Sequence, residues 1–321
     1  MEIIYLSGIM TSLLDILTDT GAKTPENLTA LLHISPGELA DEINKLLESG
    51  VPLCCDNNQI RLAAQLPLLD RNKLTQALQP YSVIYQPMVD STNQYLLEHC
   101  SELTKGTICV TEMQTAGRGR RGRQWISPFA GQLILSFYWT LNPRNAISGL
   151  SLVVGMAIVE ALEKAGMDGI KLKWPNDLLF KGKKLAGILI EIASVRNQLI
   201  NIVGGIGINL KLPKIAGQIS QPWSELAEIT PHFDRTELII AIVKSVYTYL
   251  NDFAHNGITD AFRQKWERYD EYSNEEVNVI TEKKIISGVN MGISRDGSLM
   301  IRDEEGHTIR FNGGEVSLRK K

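Results

Sequence analysis

The spacing of hydrophobic positions in the first 64 residues is typical of short helices followed by extended segments. Leucine and isoleucine recur three or four positions apart in three stretches, and the third stretch stops at Gly50. Two short extended runs then flank the turn sequence Asp56-Asn57-Asn58. The pattern predicts three helices and a hairpin over residues 1–64, which is the order of a winged helix-turn-helix.

The middle of the chain, residues 65–271, alternates between strand and helix patterns. Residues 150–165 have the apolar spacing of a long amphipathic helix that ends at Gly166. Apolar runs predict strands at 83–85, 107–112, 133–139, 170–174, 184–193 and 199–210. The last two runs are expected to pair as a hairpin across residues 194–198. We therefore predict an α+β sandwich built on a mostly antiparallel sheet, not a doubly wound parallel sheet.

Beyond residue 272 the pattern changes to alternation of apolar and polar positions. Turn sequences at Asp296-Gly297, Glu305-Gly306 and 313–314 divide this region into five or six short strands. Such strands in about fifty residues predict a small closed barrel of the SH3-like type over residues 272–321, with a structural or partner-docking role. The chain as a whole is predicted to have three domains, at 1–64, 65–271 and 272–321.

Composition excludes several functional classes. The chain has 321 residues, 44% of them hydrophobic, and a net charge of -3, so it can bury a sizeable core but does not resemble a general polyanion binder. Its four cysteines show neither CxxC spacing nor a histidine at zinc-finger distance, which indicates reduced thiols in a cytoplasmic protein. We find no apolar run long enough for a membrane span and no secretion signal.

The N-terminal module has the wrong charge for a typical DNA reader. Residues 1–64 contain three basic side chains against nine acidic ones, and Glu38, Asp41 and Glu42 lie at the start of the presumed recognition helix. Binding to duplex DNA depends on neutralising phosphates with Lys and Arg. We interpret the module as serving dimer contacts or stability. Operator binding through Lys45, its neighbours and the wing is the alternative.

The sequence GRGRRGR at 117–123, followed by Gln124 and Trp125, concentrates four guanidinium groups in seven residues. Glycine lets the backbone approach a ligand closely, and each arginine offers a planar fork of donors suited to carboxylate or phosphate. The segment is expected to clamp a small, highly anionic ligand. A solvated basic turn is the alternative interpretation.

Three further motifs carry chemistry-bearing residues. KWPND at 173–177 directly follows a strand and presents a cation, an aromatic ring, an amide and a carboxylate. Lys184 begins the predicted strand KLAGIL, and GIGIN at 205–209 is rich in glycine. The alternatives are an ordinary Asn-Asp turn, a solvated lysine and tight strand packing. The chain has no P-loop and no strand-turn-helix dinucleotide fingerprint.

Taken together, these motifs resemble those of the biotin protein ligases. The resemblance rests on Asp90-Ser91-Thr92-Asn93, Gln114, GRGRRGR with Trp125, KWPND, KLAGIL and GIGIN. It covers essentially the whole chain in three-domain order, and with the N-terminal module it is similar to the bifunctional ligases that also repress a biotin operon.

The resemblance implies a two-step reaction in the cytoplasm. Biotin and ATP, with Mg²⁺, give biotinyl-5'-AMP and pyrophosphate, and a lysine of a biotin carboxyl carrier protein then takes the biotinyl group. The resemblance also implies a lid formed by the Gly-Arg loop over the adenylate and a homodimer on adenylate binding. The acidic charge of the N-terminal module argues against operator DNA as a partner, and the hydropathy of the sequence predicts no membrane partner. The absence of a Ser-His-Asp or reactive-Cys arrangement agrees with this chemistry.

The resemblance assigns site residues to overlapping groups. The catalytic group is Lys184, Arg118, Arg120, Arg121 and Asp177. The biotin-binding group is Ser91, Thr92, Asn93, Gln114, Gly117, Arg118, Gly119, Arg120 and Lys184. The ATP- and adenylate-binding group is Arg121, Trp125, Lys173, Asn176 and Asn209. No residue is assigned as a dedicated metal ligand, and Asp177 either supports Mg²⁺ or orients Lys184.

Two other functions stay open at this point. A ligand-sensing transcription regulator would keep a biotin pocket but would not need KWPND or Lys184. A lipoate or octanoyl transferase would share the sandwich fold but should lack both the Arg-rich loop and the winged helix. Substrate choice between biotin and lipoate separates the last class from a biotin ligase.

Overall fold

The computed structural model describes residues 12–142, 147, 149–196, 199–213, 221–281, 284–313 and 317–321. Within this part of the chain the N-terminal unit has the predicted elements: α1 (Leu13–Thr20), α2 (Pro25–Leu32), α3 (Pro36–Glu48) and the antiparallel pair β1 (Leu53–Asp56) and β2 (Gln59–Leu62). Ser35 starts α3 with a capping box, because its hydroxyl accepts from the N–H of Glu38 at 3.2 Å and its own N–H donates to that carboxylate at 2.7 Å.

The central region is built on a seven-stranded sheet with the order β3-β4-β5-β9-β8-β7-β6. Among the described strands only β3 and β4 are parallel, which confirms the predicted, mostly antiparallel sheet. The strands are β3 (Val83–Val89), β4 (Ile108–Gln114), β5 (Gln132–Leu141), β6 (Ile170–Lys173), β7 (Asp177–Phe180), β8 (Lys183–Arg196) and β9 (Leu199–Asn209).

The predicted β8–β9 hairpin is present, but its strands are longer than expected. Strand β8 continues to Arg196 and pairs there with Leu199, so only residues 197–198, outside the described part, join the two strands. Strand β7 was not foreseen as a separate strand. It forms because Asn176 ends the turn after β6 and the chain returns antiparallel to it.

The helices of the central region are α4 (Arg71–Ala77), α5 (Thr92–Glu98), α6 (Leu150–Lys164), α7 (Arg235–Asn256) and α8 (Asp260–Tyr269). The expectation that residues 150–165 form an amphipathic helix is wrong in one respect. Helix α6 lies between the sheet and α7, and residues on all of its sides are buried, among them Leu152, Val154, Met156 and Leu162. A helix covered from both sides has no need for a polar face.

The C-terminal unit is an antiparallel five-stranded sheet with the order β13-β12-β11-β10-β14. Its strands are β10 (Glu276–Ile280), β11 (Ile285–Ile293), β12 (Leu299–Arg302), β13 (Thr308–Phe311) and β14 (Ser317–Lys320). The two runs expected at 284–288 and 289–293 form one continuous strand, β11. In the part that the structure describes, β13 and β14 lie at opposite edges without pairing. The predicted closed barrel is therefore corrected to an open sheet.

Both flanking units pack against the central region. Leucines of α1, α2 and α3 share an apolar cluster with Met113 and Phe129. On the other flank, the buried indole of Trp174 donates a hydrogen bond of 3.1 Å to the carbonyl of Gly297 in the C-terminal unit. Within the described ranges no helix is long and apolar enough to span a membrane.

Candidate active site

A cavity of about 110 Å³ lies over strands β5, β8 and β9, between the start of α5 and the Gly-Arg loop. Polar residues from four separated segments meet there. The predicted residues that line it are Ser91, Thr92, Asn93, Gln114, Arg118, Gly119, Arg120, Trp125, Asn176, Asp177 and Lys184. The structure thus gathers most of the predicted residues around one space.

Hydroxyl and amide groups at one end of the cavity are fixed by a buried hydrogen-bond network. Thr92 donates to the side-chain carbonyl of Gln114 from its backbone N–H at 2.9 Å, and its hydroxyl lies 2.6 Å from that of Ser136. Ser136 in turn donates to Asn93 at 2.5 Å, and the amide of Gln114 donates to Ser127 at 3.2 Å. Because each side chain is held by another, this end offers a pre-organised polar surface.

Glycines form the floor beneath two side chains of the site. Gly187 of β8 and Gly207 of β9 are directly paired, and the indole of Trp125 lies over them. A Cβ atom on Gly207 would be 2.6 Å from Cε2 of Trp125, and one on Gly205 would be 2.3 Å from Oδ1 of Asn93. The glycines in GIGIN therefore allow close packing of site residues, which agrees with the packing interpretation of this motif.

The Gly-Arg loop is closed by its own backbone. Gly119 donates to the carbonyl of Arg123 at 2.7 Å, and Trp125 donates to that of Gly117 at 2.8 Å. At the apex, Arg121 has φ 59° and Gly122 has φ 69°, both in the left-handed region. The loop therefore has a compact, hydrogen-bonded conformation that directs its arginines to different partners.

Two of these arginines are tied to other segments. Arg118 donates to Gln94 at 2.6 Å and pairs with the carboxylate of Glu191 at 2.5 Å. Arg120 donates to the side-chain carbonyl of Asn176 at 2.8 Å and also to the backbone carbonyl of Gly313 in the C-terminal unit. Burial lowers the pKa of the Arg120 guanidinium, which makes a nearby anion a favourable partner.

At the other end of the cavity a lysine and a carboxylate form an ion pair. Nζ of Lys184 lies 2.8 Å from Oδ1 of Asp177, with both side chains largely buried, and 5.5 Å from the ring centre of Trp125. The indole N–H of Trp125 donates to Gln132 at 3.2 Å, and Gln132 donates to Asn209 at 2.8 Å. Asp177 therefore forms an ion pair with Lys184, one of the two partners expected for it.

The structure places four of the predicted residues away from the cavity wall. Gly117 lies beneath the carbonyl of Trp125, and Arg121 is exposed at the loop apex. Asn209 is buried and donates to the carbonyls of Lys184 and Ser224. Burial, with Arg319 nearby, lowers the pKa of Lys173 to about 8.

Several wall residues were not assigned to the site from the sequence. Arg123 and Gln124 belong to the segment expected to clamp an anion but were left out of the site groups, and Ile134, Leu135, Ile188, Leu189, Ile206 and Gln221 were not singled out. Glu191 binds both Asn93, at 2.8 Å, and Arg118. Period-two alternation along β8 could have found Glu191, because it follows Gly187 and Leu189 on one face of the strand.

Comparison with known proteins agrees with this geometry. Residues 85–209 match the biotin/lipoate A/B protein ligase family, and residues 272–319 match the biotin protein ligase C-terminal domain. The chain is 37% identical to the bifunctional ligase/repressor BirA of Escherichia coli, over 92% of both chains. It is 30% identical to the biotin–[acetyl-CoA-carboxylase] ligase of Paracoccus denitrificans, over 68% of this chain and 94% of the relative.

A solved structure supports the same relationship. The biotin protein ligase of Aquifex aeolicus, in complex with biotin and ATP, aligns with a TM-score of 0.65 and 35% identity, over 75% of this chain and 99% of that one. The first family match, over residues 85–209, includes every residue described as lining the cavity apart from Gln221. The chain therefore belongs to the biotin protein ligase family.

Proposed function

We propose that this protein is an ATP-dependent biotin protein ligase. It joins biotin and ATP into biotinyl-5'-AMP with release of pyrophosphate, and it then transfers the biotinyl group to a lysine of a carrier protein. The observation that carries the proposal is one cavity with a buried hydroxyl and amide network at one end and Arg118, Arg120, Arg123 and Lys184 around the rest. Its described lining contains neither cysteine nor histidine, which suits a reaction without a covalent enzyme intermediate.

The first step brings together two anions. An oxygen of the biotin carboxylate attacks the α-phosphorus of ATP, and the bond from that phosphorus to the leaving pyrophosphate oxygen breaks. Arg118, Arg120 and Lys184 neutralise the carboxylate and the phosphates where negative charge builds in the transition state. Arg121 at the loop apex assists on the phosphate side. Fixed cations in a partly buried cavity act more strongly than the same charges in water.

Biotin lies, in this proposal, against the network at the start of α5. The hydroxyls and amides of Ser91, Thr92, Asn93 and Gln114 contact its ureido ring. Gly117 and Gly119 allow the loop backbone to approach the ligand closely. The network supports this role because its members already satisfy one another and present a defined pattern of donors and acceptors.

The nucleotide lies at the end marked by Trp125. Its indole stacks on adenine, and Asn176 contacts the base or its surroundings, while Lys173 adds positive charge from behind the wall. Asn209 acts indirectly, because it fixes both Gln132 and the backbone of Lys184. The position of the Trp125 indole supports its role, because one hydrogen bond to Gln132 holds the ring over Gly187 and Gly207.

Mg²⁺ fits the donors available at this end. Among the residues described as lining the cavity, Asp177 is the carboxylate, and Mg²⁺ is commonly held by one or two carboxylates together with substrate phosphates. When bound, the ion supplies positive charge to the phosphate oxygens. Asp177 would then serve both the ion and Lys184.

The second step requires an acceptor amine to reach the adenylate. The lysine amine attacks the carbonyl carbon of the mixed anhydride, and AMP leaves. The acceptor we propose is the biotin carboxyl carrier protein of acetyl-CoA carboxylase, in line with the name of the Paracoccus relative. Before transfer, the Gly-Arg loop shields the anhydride from water.

The role of the N-terminal unit is a separate question, for which repression of transcription is one candidate. The E. coli relative named a bifunctional ligase/repressor aligns over 92% of this chain, and the three helices and hairpin fit a winged helix-turn-helix domain at 1–64. The acidic balance of that unit opposes DNA binding, and we propose that it serves dimer contacts or stability in a cytoplasmic homodimer. Tight, sequence-specific retardation of promoter DNA by the adenylate-bound protein at low salt would overturn this assignment.

Mass spectrometry of a single-turnover reaction tests the main proposal. With biotin, ATP and Mg²⁺ the protein should form biotinyl-5'-AMP and pyrophosphate, and carrier protein should gain one biotinyl group. Lipoate or octanoate, offered in place of biotin, should give no adenylate. Lys184→Ala is the matched inactive variant, because it removes the ion pair with Asp177 while leaving the network at α5 in place. Adenylation of lipoate but not of biotin would establish the transferase alternative instead.

A further inference from the structure

Residues 63–70 join β2 to α4 and form the connector between the N-terminal unit and the central region. The connector is hydrogen-bonded to both members of a buried ion pair. Nη1 of Arg235 lies 2.7 Å from Oε2 of Glu112, and both side chains are almost completely buried. Oε1 of Glu112 accepts a hydrogen bond of 2.7 Å from the N–H of Leu69, and Arg235 donates one of 2.8 Å to the carbonyl of Pro67. Each member of the pair therefore holds the backbone of the connector.

The same pair reaches the cavity through Gln132. Nη2 of Arg235 donates to the backbone carbonyl of Gln132 at 3.0 Å. The side chain of Gln132 accepts from the indole of Trp125 and donates to Asn209, which in turn donates to the carbonyl of Lys184 at 3.3 Å. A continuous set of hydrogen bonds thus runs from the connector to two residues of the site.

Packing from the N-terminal unit acts separately, on the hydroxyl and amide end of the cavity. Met113 and Phe129 lie in the apolar cluster formed with α1, α2 and α3. Gln114, next to Met113, and Ser127, two residues before Phe129, are hydrogen-bonded to each other, and Gln114 lines the cavity. A shift of the N-terminal unit would therefore move the strand and the turn that carry these groups.

The buried pair of Glu112 and Arg235 is expected to hold the connector and Gln132 in one relative position. Leaving either charge of a buried pair without its partner is costly, so the pair and the groups bonded to it move together. The planar guanidinium of Arg235 spans two carbonyls, those of Pro67 and Gln132, on different segments. A lysine keeps the charge but cannot reproduce this fork.

We propose that Glu112 and Arg235 are positioning residues for the nucleotide end of the cavity. Through them, nucleotide binding at Trp125 and docking of the connector at residues 67–69 stabilise each other. Such coupling is reciprocal, because each event favours the geometry that the other needs. The inference rests on the proposed function in one respect, namely that the ligand at Trp125 is ATP.

Arg235→Lys tests the positioning role. We expect the ATP concentration at half-saturation to rise about tenfold, because a charged hydrogen bond to Gln132 is lost, while that for biotin changes less than about twofold. Tyr247→Phe is the matched control. It removes another buried hydrogen bond, from the hydroxyl to the carbonyl of Gly106 at 2.8 Å, and touches none of the network. It should lower Tm and leave both constants unchanged.

Hydrogen exchange on the unmodified protein tests the coupling without any substitution. With biotin present, an ATP analogue carrying a methylene between its α and β phosphorus atoms should slow amide exchange at residues 68–70. A protein that forms no biotinyl-5'-AMP would refute the proposed function itself. If it forms the adenylate, an unchanged ATP constant in Arg235→Lys, or connector exchange that ignores the analogue, would overturn the positioning role.

Discussion

The paired glycines beneath the site allow its two ends to be perturbed separately. A methyl group added at position 207 would lie 2.6 Å from Cε2 of Trp125, about 0.8 Å inside ordinary van der Waals contact. A methyl group at position 205 would lie 2.3 Å from Oδ1 of Asn93. Gly207→Ala should therefore displace the indole, and Gly205→Ala should displace the amide at the biotin end.

The size of the effect follows from the cost of overpacking. Forced side-chain or backbone shifts cost roughly 1–3 kcal/mol, and about 1.4 kcal/mol corresponds to a tenfold change in affinity. We expect Gly207→Ala to raise the half-saturating ATP concentration at least ~5-fold with little effect on biotin. Gly205→Ala should raise the biotin constant instead, because Asn93 is held by Ser136 and Glu191 and has little room to yield.

Pyrophosphate exchange into ATP, measured against each substrate in turn, gives both constants. Gly37→Ala is the control, since its added methyl group would meet only Ser35 at 3.9 Å, in a surface helix. It should change neither constant. Equal effects of Gly205→Ala and Gly207→Ala on both substrates would refute the division of the cavity into a biotin end and a nucleotide end.

Three further predictions concern charged residues. Arg120→Gly removes the bond to Asn176 and should release biotinyl-5'-AMP and biotinylate proteins indiscriminately; unchanged adenylate retention in a single-turnover assay would contradict this. Asp177→Asn should lower the rate of adenylate formation ~10–100-fold with biotin affinity unchanged, and an unchanged half-saturating Mg²⁺ concentration would restrict its role to orienting Lys184. Burial lowers the pKa of Lys173 to about 8. Below that pH the buried side chain is charged and destabilises the folded state. This destabilisation disappears as pH rises from 8 towards the usual lysine pKa. Thermal unfolding of Lys173→Met between pH 7 and 10 should show a smaller rise in Tm than the unmodified protein, and an equal rise would disprove the assignment.

Much of the site was predictable because its chemistry lies in short local segments. The hydroxyls at 91–92, the loop at 117–125 and the turn at 173–177 each begin or end a regular element, so the sequence shows both the groups and the backbone that presents them. The fold follows a similar rule. Strands with strong local patterns, such as β5 and β9, were found within a few residues of their ends.

The remaining features depend on contacts between distant segments. Glu191 looks like an ordinary charged residue on a strand until Arg118 and Asn93 meet it. Arg235 starts a helix in the sequence, and only the folded chain places it beside Glu112. Whether β13 and β14 pair, and so close the barrel, likewise depends on long-range register, which short-period alternation does not encode. For this reason a closed barrel was wrongly predicted from the sequence.

The bond from Arg120 to the carbonyl of Gly313 joins residues 193 positions apart. Closing a contact of such long range costs more chain entropy than closing a local one, so we expect this part of the loop to form late in folding. The loop also lies partly in solvent, with Arg121 and Gly122 exposed at its apex, which places it among the first regions to open. In increasing denaturant, catalysis should therefore fail while the central sheet is still intact.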